Sequence, residues 1–333
     1  MAHRDVVVNF ALLCGTIFLF FGGIETALRF TGIVKMKDYT PPMYERNENP
    51  LISYQLKPNI SEYAFRNAVT TNSLGFRSPE PDLAKPMIAV IGDSITFGYG
   101  VADEETLSAN LQKLLPAYDV QNAGVPGYNI RQEAALFRDA VAPLKPAALI
   151  LVFYWNDFDQ SISWLDEDHV LRSEQWMPQA KQCDPIERGI LGLLPGKCFL
   201  DLQSALYRTV KGFANTRSAL RERDTKRLEE SAPNVDEENN VPAQDLQWYE
   251  QELSLLVPLA PPNRFFVIWP DASALHTEER KELSRIAQEH GFNVIDLYDH
   301  FGNTMETLTW DYIHPSPASL VQAAKIIHDS LGL

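Results

Sequence analysis

The sequence has little positive charge for its size. Its 333 residues include 29 Lys and Arg against 44 Asp and Glu, a formal net charge of −15 at pH 7. Such a chain cannot neutralise the phosphates of a nucleic acid, and it is not attracted as a whole to an anionic membrane surface. Phosphate-binding glycine loops, dinucleotide fingerprints and zinc-ligand spacings are also missing. We therefore expect no nucleic-acid partner and no zinc site of the usual ligand spacing.

Cysteine is scarce, and its three residues leave room for a single disulfide. Cys183 and Cys198 are close enough in sequence to close a small loop, and such a bond persists only in an oxidising compartment. Two unrelated thiols are the alternative interpretation. Cys14 follows Leu13, where a lipoprotein signal requires a small residue, so lipidation is not expected.

One long hydrophobic run lies near the N-terminus, from Val6 to Ile24. About 20 helical residues, each rising ~1.5 Å, span the core of a bilayer. No small-residue cleavage site follows the run, because Glu25 and Thr26 occupy that place. The run therefore predicts an uncleaved, single-pass membrane anchor rather than a signal peptide.

The basic residues around this run do not decide its orientation. Arg4 precedes the run, whereas Arg29, Lys35 and Lys37 follow it, and the positive-inside rule would then place the rest of the chain in the cytoplasm. Long domains, however, translocate largely regardless of these charges. The disulfide considered above would also need an oxidising compartment. We predict an extracytoplasmic domain, either periplasmic or at the cell surface.

From residue 87 onward, short apolar segments alternate with segments of helical period. Strands are predicted at Met87–Ile91, Tyr118–Asn122, Ala147–Tyr154, Arg264–Trp269 and Phe292–Leu297. Helices are predicted at Glu105–Leu115, Ile130–Val141, Asp245–Leu256, Thr277–His290 and Ser319–Leu331. This alternation is typical of a parallel sheet that is covered on both faces. The predicted fold is a three-layer α/β/α sandwich around a flavodoxin-like, five-stranded parallel sheet.

These patterns divide the chain into an anchor over residues 1–29, a lead-in over 30–86 that packs on the domain, and one α/β domain over 87–333. An insertion at about 160–260 separates the third predicted strand from the fourth. Within the insertion, residues 217–240 are strongly charged and are predicted to be solvated and partly flexible. A surface elaboration and a lid or acceptor-recognition surface both remain open.

Chemically active residues follow the predicted strands at the edge where parallel strands end. Ser94 follows the first strand, Gly127 the second and Asn156 the third, while Asp311 and His314 follow the fifth. A serine hydroxyl needs an adjacent base, which His314 would supply, and Asp311 would hold the second ring nitrogen. The amides of Ser94 and Gly127 and the side-chain amide of Asn156 would bind a tetrahedral oxyanion.

Each of these residues has an ordinary structural explanation by itself. Gly127 could be a turn glycine, Asn156 could cap a helix, and His314 could be a loop histidine. A rival Asp–His grouping around His300 follows no strand-end serine or glycine, so we interpret it as structural. The ordered combination at successive strand ends is what indicates a hydrolase site.

This ordered set resembles the SGNH hydrolases, also called the GDSL lipase/esterase family. The matching residues are Gly92-Asp93-Ser94-Ile95, Gly127, Asn156, Asp311 and His314. Ile95 replaces the leucine of the family name, and Tyr154 stands where the third block usually has glycine. A bulky Tyr154 would narrow or reshape the acyl pocket. The resemblance implies hydrolysis of esters or acyl groups without a metal or organic cofactor, and some members of the family act on O-acetylated or acylated glycans.

The sequence therefore predicts a membrane-anchored serine esterase or acylhydrolase. Ser94 would form an acyl-enzyme with the acetyl or longer acyl group of a glycan or lipid ester. An O-acyltransferase using the same acyl-enzyme is one alternative. A catalytically idle module that binds a glycan or a partner protein is another, and a third is a role for the N-terminal helix in a helical membrane complex. The oligomeric state stays open.

Overall fold

The computed structural model describes residues 2–31, 40–173, 196–230, 241–272 and 274–333. These residues fall into two compact units. One unit contains the described residues up to 31 together with 196–219, and the other contains 40–173 and the residues from 220 onward. Cys183 lies outside the described residues, and so does the side chain of Cys198. The disulfide therefore stays a prediction.

The larger unit is built on a five-stranded parallel sheet. Its strands are β5 (Met87–Gly92), β6 (Asp119–Asn122), β7 (Ala148–Phe153), β10 (Asn263–Ile268) and β11 (Asn293–Asp296). Their spatial order is β6-β5-β7-β10-β11, and every neighbouring pair is parallel. This is the flavodoxin-like order, in which the sequential order of the strands reverses between β5 and β7. The predicted fold class is confirmed.

The remaining strands form short antiparallel pairs. Strands β1 (Tyr44–Arg46) and β2 (Tyr54–Leu56) pair, as do β3 (Ser61–Ala64) and β4 (Asn67–Thr70), and β8 (Trp164–Leu165) and β9 (Leu171–Arg172). The first two pairs lie in the lead-in, where the sequence shows no clear period. Strands of three or four residues are too short to display a convincing alternation.

Helices occur in both units and form most of the smaller one. They are α1 (Ala2–Thr31), α2 (Ser94–Phe97), α3 (Leu107–Leu114), α4 (Ile130–Leu136), α5 (Lys197–Gln203), α6 (Ala205–Glu230), α7 (Ala243–Leu256), α8 (Thr277–Glu289), α9 (Tyr298–Phe301) and α10 (Pro317–Leu331). Single 3₁₀ turns occur at Asp103–Glu105, Ala142–Leu144, Trp155–Phe158 and Val257–Leu259, and a π-helical turn at Phe137–Val141.

One predicted helix and the predicted flexible segment differ from the observed structure. The helix predicted over 130–141 is α-helical only to Leu136 and then widens into the π turn, because Pro143 cannot continue an α-helix. The charged segment predicted to be solvated and partly flexible is helical up to Glu230 within α6. Residues 231–240 lie outside the described residues.

Both faces of the central sheet are buried. Ile88 and Val90 of β5 belong to the apolar core on one face, whereas Ala89 and Ile91 belong to the core on the other. A strand buried on both faces reads as a continuous apolar run, which is why β5 was recognisable in the sequence. The carboxyl ends of β5, β6 and β7 consequently present their following turns at one edge of the sheet.

The smaller unit contains helix α1, which is long and apolar enough to cross a membrane. Near its end, the Glu25 carboxylate accepts hydrogen bonds from the amides of Ala205 and Leu206, at 2.8 and 2.9 Å, and from the hydroxyl of Ser204 at 2.9 Å. These are orphan donors at the start of α6, so Glu25 caps that helix. The guanidinium of Arg29 donates to the carbonyl of Gln203.

Candidate active site

Ser94 begins a sharp turn directly after the central strand β5. Gly92 has a φ of +153°, and a Cβ there would lie 2.2 Å from the hydroxyl oxygen of Thr96 and 2.8 Å from the carbonyl oxygen of Val152. Only glycine fits such a close approach. Asp93 caps the one-turn helix by accepting a hydrogen bond from the amide of Ile95 at 2.8 Å. The turn therefore holds the Ser94 hydroxyl at the carboxyl end of the sheet.

The structure brings Ser94, His314 and Asp311 together. Nε2 of His314 lies 3.0 Å from Oγ of Ser94, and Nδ1 lies 2.9 Å from Oδ2 of Asp311. The other carboxylate oxygen of Asp311 accepts the backbone amides of Ile313 and His314, at 2.7 and 2.8 Å. Asp311 thus fixes its own loop and the imidazole at the same time.

The charge state of Asp311 suits this arrangement. Burial opposes ionisation, but the hydrogen bond from His314, the attraction to that ring when it is protonated, and the two loop amides outweigh it and hold the pKa of Asp311 below its usual value. An ionised Asp311 accepts a hydrogen bond from the N–H group at Nδ1, which leaves the lone pair of Nε2 directed at Ser94. In this arrangement Nε2 of His314 can therefore take the proton of the Ser94 hydroxyl.

Gly127 occupies a tight turn after β6. Pro126 and Gly127 form the two central positions between Val125 and Tyr128, with the amide of Tyr128 donating to the carbonyl of Val125 at 3.2 Å and a φ of +82° at Gly127. Proline followed by glycine at the two central positions is typical of a type II turn. The hydroxyl of Tyr54, from strand β2, donates to the carbonyl of Pro126 at 2.8 Å and so anchors the turn from outside.

Asn156 connects the nucleophile turn to the Gly127 turn. Its side-chain amide lies 3.5 Å from the carbonyl oxygen of Tyr128 and also hydrogen-bonds to Asp93. Asn156 is itself an exposed residue, so it lies at the surface of the site. The donors predicted for an oxyanion therefore belong to turns that touch one another.

Tyr154, the departure from the usual glycine, is accommodated without backbone strain. Its φ of −129° and ψ of 159° are ordinary extended values, and its amide donates to Oδ2 of Asp157 at 3.0 Å. The side chain is buried in the core on the Trp269 face of the sheet. Burial raises the pKa of its phenol, and the carboxylate of Asp271 raises it further.

Three carboxyl groups are buried behind the site. Asp93, Glu133 and Asp157 are almost inaccessible to solvent. Both oxygens of Glu133 and Oδ1 of Asp157 accept no hydrogen bond from any described residue. Burial raises the pKa of Glu133 and of Asp157, the charge of Asp93 raises both further, and Glu133 also raises that of Asp157. This cluster could not be predicted from the sequence, because nothing in sequence spacing shows which acidic residues a fold will enclose.

The aromatic ring of Tyr99 was missed as well. It stacks on the imidazole of His314, with ring centroids 4.0 Å apart and planes inclined by 21°. The flanking pair Gly98 and Gly100 was a usable signal, since both have positive φ and mark a constrained loop. His300, by contrast, is exposed on α9. Among the described residues, no group of His, Cys, Asp and Glu could hold a metal ion.

Comparison with known proteins places the chain in a family. Residues 90–319, more than half of the chain, match the GDSL-like lipase/acylhydrolase family. No curated protein matches the chain. A similar solved structure is a G-D-S-L family protein from Desulfitobacterium hafniense DCB-2, with 15% identity, a TM-score of 0.43, and coverage of 74% of this chain and 99% of that chain.

Two further solved structures are similar over the same share of the chain. An acetylxylan esterase from Geobacillus stearothermophilus has 16% identity and a TM-score of 0.41, with 74% of this chain and 94% of that chain covered. An alpha/beta hydrolase enzyme from the metagenome of Lake Arreo, Spain, has 17% identity and a TM-score of 0.41, with 74% and 95% covered. On the match over residues 90–319, this chain belongs to the GDSL-like lipase/acylhydrolase family and is a serine hydrolase.

Proposed function

We propose that the chain hydrolyses a carboxylic ester through a covalent acyl-enzyme on Ser94. The observation that carries the proposal is the position of His314, whose two ring nitrogens contact Ser94 and Asp311 at 3.0 and 2.9 Å. A serine hydroxyl is a weak nucleophile unless a base takes its proton as the new bond forms. A neutral imidazole oriented by a carboxylate is such a base at neutral pH.

The reaction follows from these contacts. Oγ of Ser94 bonds to the ester carbonyl carbon while Nε2 of His314 takes the hydroxyl proton, and a tetrahedral oxyanion results. The intermediate collapses with cleavage of the bond to the alcohol oxygen, which leaves with the proton from His314. Water then attacks the acyl-enzyme, giving one proton to His314, and collapse returns that proton to Ser94 and releases the acid.

We assign the oxyanion to the backbone amides of Ser94 and Gly127 and to the side-chain amide of Asn156. The contact of Asn156 with Asp93 and with the carbonyl of Tyr128 supports this assignment, because it joins the two turns that carry the other donors. Donors fixed before the reaction stabilise developing charge without reorganising. Loss of one such donor typically lowers the rate by about 10²–10³.

We propose an acetyl or longer acyl ester of a glycan or lipid as the substrate. Both activities in the family description, lipase and acylhydrolase, release an acyl group from an ester or related acyl compound. Comparing kcat/KM for p-nitrophenyl acetate, octanoate and palmitate, and for O-acetylated glycans, tests chain length and alcohol separately. Adding an acceptor glycan and following the acylated product distinguishes transfer from hydrolysis.

We propose further that α1 stays attached as a membrane anchor, with the catalytic domain on the extracytoplasmic side. The support for an uncleaved anchor is the sequence after the apolar run, where Glu25 and Thr26 stand in place of a small-residue cleavage site. The cap that Glu25 provides to α6, reinforced by Arg29, requires only that these two residues stay in place. A signal peptide removed after the apolar run could leave these residues in place, whereas removal of the whole helix would uncap α6. Protease accessibility of the domain in intact and permeabilised cells measures the orientation.

The decisive experiment on the chemistry uses the purified full chain. Wild-type protein is expected to hydrolyse p-nitrophenyl acetate and to be labelled by a fluorophosphonate probe at Ser94. Ser94→Ala is expected to lose both. If the wild type is labelled elsewhere, or if Ser94→Ala labels equally well, the proposed nucleophile is wrong.

A further inference from the structure

The imidazole of His314 is covered on one face by an aromatic ring. Its two nitrogen atoms are engaged at the ring edge by Ser94 and Asp311, while Tyr99 stacks on its face at a centroid distance of 4.0 Å. Tyr99 lies five residues after Ser94, in the loop that leaves the nucleophile turn. The nucleophile loop thus contributes a second contact to the base.

Tyr99 is held from its other side by the β3–β4 hairpin of the lead-in. The ring centroids of Tyr99 and Phe65 are 4.2 Å apart. The guanidinium carbon of Arg66 lies 4.3 Å from the ring centroid of Trp310, and the ring centroids of Trp310 and Tyr99 are 5.9 Å apart. The side-chain amide of Asn67 donates to the carbonyl of Gly100 at 2.8 Å. Three consecutive residues of the hairpin therefore contact the loop of Tyr99 or the loop of His314.

The hairpin tip has an unusual composition for its conformation. Phe65 and Arg66 have φ values of +51° and +69°, as the two-residue type I′ turn requires. Asn and Gly are the residues that this turn favours, and large side chains are strained there. Here both side chains reach the aromatic cluster around His314. Strain retained at such a position points to a functional contact.

Arg77 also fixes the loop that carries Tyr99. The buried guanidinium donates to the carbonyls of Phe97, Gly98 and Val101, at 3.2, 2.7 and 2.8 Å. It also pairs with Asp103 at 2.8 Å, which fixes its direction. A loop bonded at three carbonyls has little freedom, so the ring of Tyr99 is presented to His314 in one place.

We propose that Tyr99 is a positioning residue for His314, and that the Phe65–Arg66 hairpin tip is the element that holds it. The face of Tyr99 keeps the imidazole in register with Ser94 and favours the imidazolium that forms when the serine proton is taken. An aromatic face attracts a cation, with an effect of about 2- to 30-fold on an equilibrium. The hairpin lies outside residues 90–319, the part of the chain that matches the family, so in this chain the lead-in also contributes to the surroundings of His314.

The inference rests on the proposed function for its catalytic meaning, but the stack also predicts a property of the resting enzyme. Charged groups that face His314 are Asp311 from its own loop and Asp93 from the nucleophile turn, and Arg66 lies beyond the aromatic cluster. None of these groups changes when Tyr99 is replaced. A change in the His314 titration would therefore report the loss of the ring.

The test compares Tyr99→Leu with Tyr99→Phe in the full chain, reconstituted with detergent. In Tyr99→Leu, kcat is expected to fall about 2- to 30-fold with KM little changed. The acid limb of the kcat/KM profile should move to lower pH, because an imidazolium that has lost its aromatic neighbour gives up its proton more easily. Tyr99→Phe keeps the ring and is expected to restore most of kcat and the position of the limb.

An NMR titration of ¹³C-labelled histidine separates this inference from the proposed function. The His314 resonance, assigned with His314→Asn, should titrate at lower pH in Tyr99→Leu than in the wild type and Tyr99→Phe. A lower His314 midpoint in Tyr99→Leu, together with no Ser94-dependent turnover in the wild type, would reject the hydrolase mechanism but support the contact between Tyr99 and His314. Ser94-dependent turnover with an unmoved midpoint and an unmoved acid limb would reject the role of Tyr99.

A second variant tests the hairpin without touching the loop. Phe65→Leu is expected to lower kcat in the same direction as Tyr99→Leu, but by less, because it acts through Tyr99. In the double variant Phe65→Leu/Tyr99→Leu, the Phe65 change should add nothing further. Independent, multiplicative losses of kcat in the two variants would show that the hairpin does not hold Tyr99. Thermal unfolding of each variant identifies any that fails to fold.

Discussion

At Asp311, a single carboxylate serves three donors of its own loop. Oδ1 accepts hydrogen bonds from the amides of Ile313 and His314, and Oδ2 accepts one from the N–H group at Nδ1 of the imidazole. Because the loop amides fix the carboxylate before substrate arrives, the tautomer and direction of the imidazole are set in the resting enzyme. The short spacing between Asp311 and His314 is what makes this local arrangement possible.

Asp311→Asn is expected to lower kcat by about 10⁴. The asparagine can turn its N–H₂ group towards Nδ1, which then becomes the acceptor and leaves the proton on Nε2. That tautomer cannot take the proton of Ser94. Steady-state kinetics with p-nitrophenyl acetate measures the loss, and near-UV circular dichroism checks the fold. A variant within ten-fold of the wild-type kcat would contradict the assigned role.

The buried pair Glu133 and Asp157 also has a consequence for stability. Burial raises the pKa of both carboxyl groups in the folded state. A group whose folded pKa is raised binds a proton more tightly in the folded chain than in the unfolded one. Its contribution is therefore fully present below the unfolded pKa, about 4.3 for Glu, and is lost as pH rises towards the folded value.

Glu133→Gln is expected to flatten this dependence, because glutamine has the same shape and no titrating proton. The free energy of unfolding of the variant relative to the wild type should increase between pH 5 and pH 8. Urea unfolding at several pH values measures the difference. Glu278→Gln, at an exposed residue of α8, is the control and should show no such trend. A wild-type advantage that grows with pH would refute the prediction.

At the scale of elements, the Gly127 turn depends on a strand outside the central sheet. Tyr54 of β2 is fully buried, donates to the carbonyl of Pro126 and packs edge-on against Tyr128 at 5.2 Å. The hydroxyl of Tyr128 donates in return to the carbonyl of Tyr54. This reciprocal pair connects the lead-in to the turn that is proposed to bind the oxyanion.

Tyr54→Phe is expected to destabilise the fold by about 1–3 kcal/mol, since the buried carbonyl of Pro126 loses its donor. It should also lower kcat more than it raises KM, because a looser Gly127 turn weakens the oxyanion site. The matched control is Tyr44→Phe, a buried tyrosine that packs on Tyr54 at 5.5 Å. If both variants alter kcat equally, the turn is not the element that Tyr54 supports.

At the scale of the whole molecule, the described residues form two units with different chemistry. The larger one contains the sheet and the Ser94 site, whereas the smaller one combines the apolar helix α1 with α5 and the start of α6. Glu25 is the residue by which α1 caps α6. The N-terminal helix is therefore part of a folded unit as well as a candidate membrane span.

Two truncations test this dual role. Deleting residues 1–24 removes the apolar run but keeps Glu25 and Arg29, and the protein is expected to leave the membrane fraction with residues 196–219 still protected. Deleting residues 1–31 should also release the protein, but tryptic cleavage at Arg208 and Lys211 should become faster, because α6 has lost its cap. Equal cleavage rates in the two truncations would show that the cap is unimportant.

The sequence by itself determined the layered fold and the residues at the strand ends. Buried parallel strands appear in the sequence as apolar runs, and helices appear as segments with an amphipathic period. The alternation of the two indicates a parallel sheet covered by helices. Ser94, His314 and Asp311 could be proposed because strand ends meet at one edge and because the last two are close in the chain. Short hairpins such as β3–β4 carry too few residues to show their period.

Only the tertiary structure decided which side chains surround those residues. Tyr99 faces His314, Phe65 faces Tyr99 and Tyr54 holds the Gly127 turn because packing brings together segments that are distant in sequence. The same is true of Glu133 and Asp157, whose ionisation depends on exclusion from water rather than on any local motif. Local patterns specify elements, whereas burial and contact across the chain set the chemistry of the groups that those elements present.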